Sequence, residues 1–133
     1  MARVLVIDDD RALTAAIRIR LEAEGFQVIV AHDSRSGSQL AVRNIPDVIL
    51  LDLDMPHFSG LELLECLKYS RRARLIPVVY LSGNDNASAR AAAFRGGASA
   101  FLAKPCDSNL LIETLRQAIA AALTPHRAAD CLP

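Results

Sequence analysis

Five strand-sized apolar runs, Val4 to Ile7, Phe26 to Ala31, Val48 to Leu51, Val78 to Leu81 and Ala100 to Leu102, are each followed by a stretch with helical spacing. A strand-helix alternation repeated five times predicts an α/β fold with a parallel sheet, because each helix carries the chain back to start the next strand in the same direction. The runs do not alternate apolar with polar residues, so the strands are expected to be buried on both faces, with helices above and below. In the first helical stretch Leu13, Ile17 and Leu21 recur every four residues and Gly25 supplies the stop. Asp33 or Ser34 can cap a second helix ending near Asn44, which carries Gly37 at a cost of about 1 kcal/mol relative to Ala. Gly60 opens a third, to about Tyr69, and Asn86 caps a fourth that ends at Gly96 and Gly97. Asp107 or Ser108 caps a fifth with Leu111, Leu115, Ala118 and Ala122 on one side.

Composition narrows the function classes. With 15 Lys plus Arg against 15 Asp plus Glu, the 133-residue chain has no net charge, which argues against a strongly basic nucleic-acid binder and against an acidic disordered tail. The expectation is one domain over residues 1–123, then a short tail over 124–133 with no effector domain. No apolar run approaches the roughly 20 residues needed to cross a bilayer. After Arg3 the apolar residues stop at Asp8, Asp9 and Asp10, too soon for a signal peptide. Cys66, Cys106 and Cys131 are odd in number and lack metal-binding spacing, so they read as reduced thiols of a cytoplasmic protein, with Cys66 as a small core residue.

Ligands of open parallel sheets bind beyond the carboxyl ends of the strands. Asp8 and Asp9 follow the first strand, Asp52 the third, Ser82 the fourth and Lys104 the fifth, whereas the second is followed only by Ala31 and His32. With strand order 2-1-3-4-5 the first and third strands are neighbours about 4.8 Å apart, so Asp9 and Asp52 can share a cation. Oxygen ligands suit Mg²⁺, with Mn²⁺ as a substitute. Lys104 lies two strands from Asp52, roughly 10 Å, a gap its long side chain can close. A carboxylate, a divalent cation, an ammonium and a hydroxyl are the parts needed to accept a phosphoryl group, a reaction governed by positioning and charge neutralisation.

The stretches Val4-Leu5-Val6-Ile7-Asp8-Asp9-Asp10, Asp52-Leu53-Asp54-Met55-Pro56-His57-Phe58-Ser59-Gly60, Leu81-Ser82-Gly83, and Gly97-Ala98 through Phe101-Leu102-Ala103-Lys104-Pro105 together resemble the receiver domain of two-component response regulators, over residues 3 to 122. The resemblance implies a flavodoxin-like (βα)5 doubly wound sheet and a phosphorylation site at Asp52. It implies Mg²⁺ ligation by Asp9 directly, by Asp8 through water, by Asp52 and by the backbone carbonyl of Asp54. Lys104 and Ser82 would assist catalysis, and the Lys104 to Pro105 bond is expected to be cis. Ser82 and Phe101 form the expected switch, in which Phe101 lacks the hydroxyl of the frequent Tyr. Asp54 and Asn84 are the positions that tune hydrolysis. The implied partners are a histidine kinase or histidine phosphotransfer domain, docking on the outer face of the first helix at Ala12, Ala15 and Ile19, and a downstream protein met through the fourth helix, fifth strand and fifth helix. Neither nucleic acid nor membrane is a direct partner in this reading. His57 reads as a loop histidine. The small alanines at 87, 89 and 91 to 93 speak against dimerisation through charged pairs on the fourth helix.

Two other functions compete. Asp52-Leu53-Asp54 is similar to the two-aspartate signature of haloacid dehalogenase type phosphohydrolases, but it follows the third strand where that signature follows the first. A phosphate-independent pseudo-receiver would ordinarily lack Asp52 or Lys104, and both are here.

Overall fold

The computed structural model describes residues 1–55, 60–83 and 87–123, with backbone alone at 60–62. The elements run β1 (Arg3–Ile7), α1 (Arg11–Ala23), β2 (Gln27–Ala31), α2 (Ser34–Asn44), β3 (Val48–Asp52), α3 (Gly60–Lys68), a 3-10 turn (Ala73–Leu75), β4 (Val78–Ser82), α4 (Ala87–Arg95), β5 (Ala100–Ala103) and α5 (Ser108–Ala122). All strand pairs are parallel and the order is β2-β1-β3-β4-β5. Every residue of β3 and β4 is buried, as the unbroken apolar runs require.

Strand periodicity splits the core in two. Leu5, Ile7, Ile49, Leu51, Tyr80 and Phe101 face one layer with Ala41 of α2, Leu63, Leu64 and Leu67 of α3 and Ala93 of α4. Val4, Val6, Val28, Val48, Leu50, Val79, Leu81 and Leu102 face the other, against Ile17 and Leu21 of α1 and Leu111, Ile112, Leu115 and Ala118 of α5. No helix among the described residues is long and apolar enough to cross a membrane.

Caps and stops follow local chemistry. Asp10 caps α1 by accepting from the Leu13 N–H at 3.0 Å, and Asp33 caps α2 by accepting from the Ser36 N–H at 2.7 Å. Those two bonds to Ser36, from its N–H and its hydroxyl, lead the causes that hold the Asp33 carboxyl below the usual range. Gly25 (φ 93°) and Gly97 (φ 104°) take up the left-handed conformation after α1 and α4. Asp107 stands at the N-cap of α5 without a side-chain hydrogen bond.

Several sequence expectations shift. Phe26 precedes β2 rather than belonging to it, and is buried beneath the Arg116 guanidinium, 5.5 Å from its ring centroid. The inner stripe of α1 is Thr14, Ile17 and Leu21, with Leu13 only half-buried. The buried Thr14 hydroxyl donates to the Arg11 carbonyl at 3.1 Å, which is how a polar residue can occupy that face. Ala122 is exposed. Cys66 is also exposed: α3 turns Leu63, Leu64 and Leu67 inward, and Cys66 falls outside that arc. The expectations for His57, Asn84, Asn86, Cys131 and the tail over 124–133 fall outside the described residues.

Gly37, a weak point for helix propensity, has a packing reason. A Cβ built there would lie 2.6 Å from Ile7 Cδ1 and 3.1 and 3.2 Å from its Cγ1 and Cγ2, and Ile7 is fully buried. We expect Gly37→Ala to destabilise the fold, since displacing Ile7 costs about 1–3 kcal/mol and outweighs a propensity gain of about 1 kcal/mol. Urea unfolding measures it, and a variant more stable than wild type would show that the helix moves away freely.

Candidate functional site

Register brings the polar residues together. Ile7 pairs with Leu51, so Asp8 and Asp52 leave the sheet side by side. Asp52 pairs with Leu81 and Ser82 with Ala103, which places Ser82 one strand over and Lys104 just past the end of β5. Asp8, Asp52 and Ser82 are buried, whereas Asp9 is exposed.

Asp8 and Asp52 are fixed in the same way. Asp8 Oδ1 accepts from the Asp10 N–H and Asp52 Oδ1 from the Asp54 N–H, each at 2.9 Å, so each carboxylate closes a turn onto the amide two residues ahead. The sequence prediction that Lys104 spans two strands holds: its Nζ lies 2.8 Å from Asp52 Oδ1, 3.7 Å from Asp54 Oδ2 and 3.9 Å from Asp8 Oδ2. The Lys104 to Pro105 bond is cis, as expected.

The electrostatics follow from burial and these contacts. Burial foremost, and then the neighbouring charge of Asp52, push the Asp8 carboxyl up to about 6, against the Asp10 N–H and Lys104, which favour its ionised form. Burial works to lower Lys104, but the hydrogen bond and charge of Asp52, followed by the charges of Asp8 and Asp54, hold its ammonium above the ordinary value. Asp54 goes the other way. Although burial raises it, bonds from the Gly83 N–H and the Ser82 hydroxyl, with Lys104, bring its carboxyl below the usual range.

Asp8 Oδ2 is buried with no hydrogen-bond partner among the described residues, and one oxygen each of Asp8, Asp9 and Asp52 lies within 4.8 Å of the other two. An orphaned buried carboxylate oxygen facing two other carboxylates is what a hard divalent cation satisfies, and the all-oxygen donor set suits Mg²⁺. Two features were not foreseen. His32 Nδ1 lies 3.0 Å from the Asp8 carbonyl oxygen, so the β2 edge, which seemed empty, supports the acidic pair from behind. The Asp54 side chain turns to β4, accepting from Ser82 Oγ at 2.9 Å and the Gly83 N–H at 2.7 Å.

Beyond the carboxylates, Phe101 is buried on β5, and the Arg90 guanidinium of α4 sits 5.0 Å from its ring centroid. On the outer side of α1, Ala12, Ala15 and Ile19 are all exposed, Ile19 at 71%.

The family model described as the response regulator receiver domain matches residues 4–116. The response regulator PleD of Caulobacter vibrioides is 37% identical over 115 residues, 86% of this chain and 25% of the relative. The chain spans a quarter to about half the length of the curated relatives it matches. Among solved structures, a response regulator receiver domain protein from Clostridium thermocellum superposes with a TM-score of 0.82 at 30% identity, covering 91% of this chain and 96% of its own. The receiver domain of the sensor histidine kinase PA1611 from Pseudomonas aeruginosa, with a magnesium ion coordinated in its active-site cleft, shares the fold at a TM-score of 0.81 and 24% identity, covering 90% and 98%. With the strand order, the acidic pocket and the lysine that closes it, these matches establish that the chain belongs to the response regulator receiver domain family.

Proposed function

We propose that the chain is a phosphoacceptor of two-component or phosphorelay signalling, and that Asp52 is the residue phosphorylated. The observation that carries this reading is the placement of Lys104 Nζ 2.8 Å from Asp52 Oδ1, beside three carboxylates whose oxygens lie within 4.8 Å. An Asp52 oxygen attacks phosphorus, the bond from phosphorus to the donor's leaving group breaks, and an acyl phosphate remains on Asp52. Lys104 shifts its ion pair from the free carboxylate to the phosphoryl oxygens, and so stabilises charge where it develops. Asp9, Asp52 and the backbone carbonyl of Asp54, with Asp8 acting through water, would hold Mg²⁺, or Mn²⁺ in its place, which would supply positive charge to offset the carboxylates and the phosphoryl oxygens.

Signalling then needs a surface that differs between the two forms. Ser82 bonds to the phosphoryl group and Phe101 repacks, which the Arg90 guanidinium over its ring transmits to α4. The output is a downstream protein at the α4, β5 and α5 surface, and the phosphoryl donor, a histidine kinase or phosphotransfer domain, docks at Ala12, Ala15 and Ile19.

Incubation with acetyl phosphate followed by intact-mass spectrometry tests the core of the reading. One phosphoryl adduct is expected that requires both Mg²⁺ and Asp52, and is absent in Asp52→Asn; an adduct that survives that change would place the chemistry elsewhere. Asp8→Asn separates function from stability. A carboxyl raised to about 6 in the folded protein, from 3.8 unfolded, adds its full stability only below pH 3.8 and loses it as pH rises through 6. At neutral pH its ionised form therefore costs the metal-free fold about 1–3 kcal/mol. Asp8→Asn should unfold at higher temperature than wild type at pH 7.5, lose that advantage near pH 4, and bind Mg²⁺ far more weakly. Parallel melting curves across this range would contradict it. Ile19→Glu should slow transfer from the cognate kinase at least fivefold while leaving the acetyl phosphate reaction unchanged; equal kinase rates would rule out docking at that face.

A further inference from the structure

We infer that the Asp54 carboxylate is a latch that holds Ser82 and Gly83 in the unphosphorylated arrangement and competes with the phosphoryl group for the Ser82 hydroxyl. The inference rests on the phosphoacceptor reading above and concerns what regulates that same site.

Both Asp54 oxygens are engaged on β4 and its end. Oδ1 accepts from Ser82 Oγ at 2.9 Å, and Oδ2 accepts from the Gly83 N–H at 2.7 Å. Hydrogen bonds to a carboxylate are roughly twice as strong as those between neutral groups, and two on one planar group fix its orientation. The carboxyl is held below the usual range, which is what donors to the charged form produce. Gly83 suits the close approach: a Cβ there would lie 3.3 Å from Asp54 Oδ2. Asp54 is anchored in turn, because its own N–H donates to Asp52 Oδ1 at 2.9 Å.

The latch therefore joins the phosphoacceptor's own turn to the serine one strand away. A hydroxyl has one proton to donate, so Ser82 cannot serve Asp54 Oδ1 and a phosphoryl oxygen together. Lys104 is shared as well: its Nζ lies 3.7 Å from Asp54 Oδ2 and 2.8 Å from Asp52 Oδ1. Engaging a phosphoryl group on Asp52 therefore takes the Ser82 hydroxyl from Asp54, whereas the three N–H donors of Lys104 can serve both. Asp54 acts as a positioning residue that favours the unphosphorylated state, because a ligand shifts such an equilibrium only by its differential affinity for the two arrangements.

A double-mutant cycle with Mg²⁺ and beryllium trifluoride, a tetrahedral phosphoryl stand-in, tests this by nuclear magnetic resonance titration of wild type, Asp54→Ala, Ser82→Ala and the double variant. Asp54→Ala should tighten binding about tenfold when Ser82 is present, a coupling of ordinary size for a conformational equilibrium, and less than threefold in the Ser82→Ala background. In the free protein the Gly83 amide proton should move upfield on Asp54→Ala, since it loses a carboxylate acceptor. Equal gains in both backgrounds would mean that Asp54 acts only through its charge, and would overturn the latch. An unmoved Gly83 amide would overturn it too. Wild type that fails to bind the stand-in at all would overturn the phosphoacceptor reading and the competition together, whereas equal gains leave that reading intact.

Discussion

Three carboxylates brought to one sheet edge repel one another, and burying two of them makes the repulsion worse; the ammonium of Lys104 is the charge that lets them stay. Its 2.8 Å contact with Asp52 and its approaches to Asp8 and Asp54 draw β1, β3 and β5 around one point. The arrangement exists only because the sheet is parallel and ordered β2-β1-β3-β4-β5, which sends β1, β3, β4 and β5 to the same edge in adjacent positions. An order that parted β1 from β3 would separate Asp8 from Asp52 by more than one strand spacing, and neither could then share a cation with the other.

Balance at that point is incomplete. Asp8 is buried with one oxygen that accepts no hydrogen bond among the described residues, and its carboxyl is pushed up to about 6. Functional sites are where such costs are tolerated, and the two-layer core that carries them is closely packed. Leu5, Ile7, Leu21, Ile49, Leu51 and Leu115 are all fully buried. Against Ile7 the packing is tight enough that α2 needs Gly37 for its approach. The strain of the acidic edge is thus set on a sheet whose strands are covered on both faces and cannot easily shift.

The same edge is tied together by side chains as well as by the sheet. Asp54 is fixed by its amide to Asp52 and by its carboxylate to Ser82 and Gly83, so the third and fourth strands are coupled by side chains as well as by the ladder. From β4 the register leads directly to Phe101, paired with Tyr80, and from Phe101 to Arg90 of α4. Tyr80 is buried with its hydroxyl lacking a partner among the described residues, so the layer behind Ser82 is almost wholly apolar.

Much of this is legible in the sequence. Five apolar runs without alternation determine buried parallel strands, and the residue after each run then lies at the carboxyl edge whatever the helices do; Asp8, Asp9, Asp52, Ser82 and Lys104 were assigned in that way. Strand termini are set by local sequence and topology, so their positions follow from counting. The burial of Thr14, the exposure of Cys66 and Ala122, the close approach at Gly37, the support of Asp8 by His32 and the turn of Asp54 toward Ser82 needed the tertiary structure. Each depends on how a helix is rotated against the sheet or which rotamer a neighbour permits, and residues distant in sequence settle those choices. Sequence alone determined which groups meet at the edge, and only the folded chain decided which of them hold one another there.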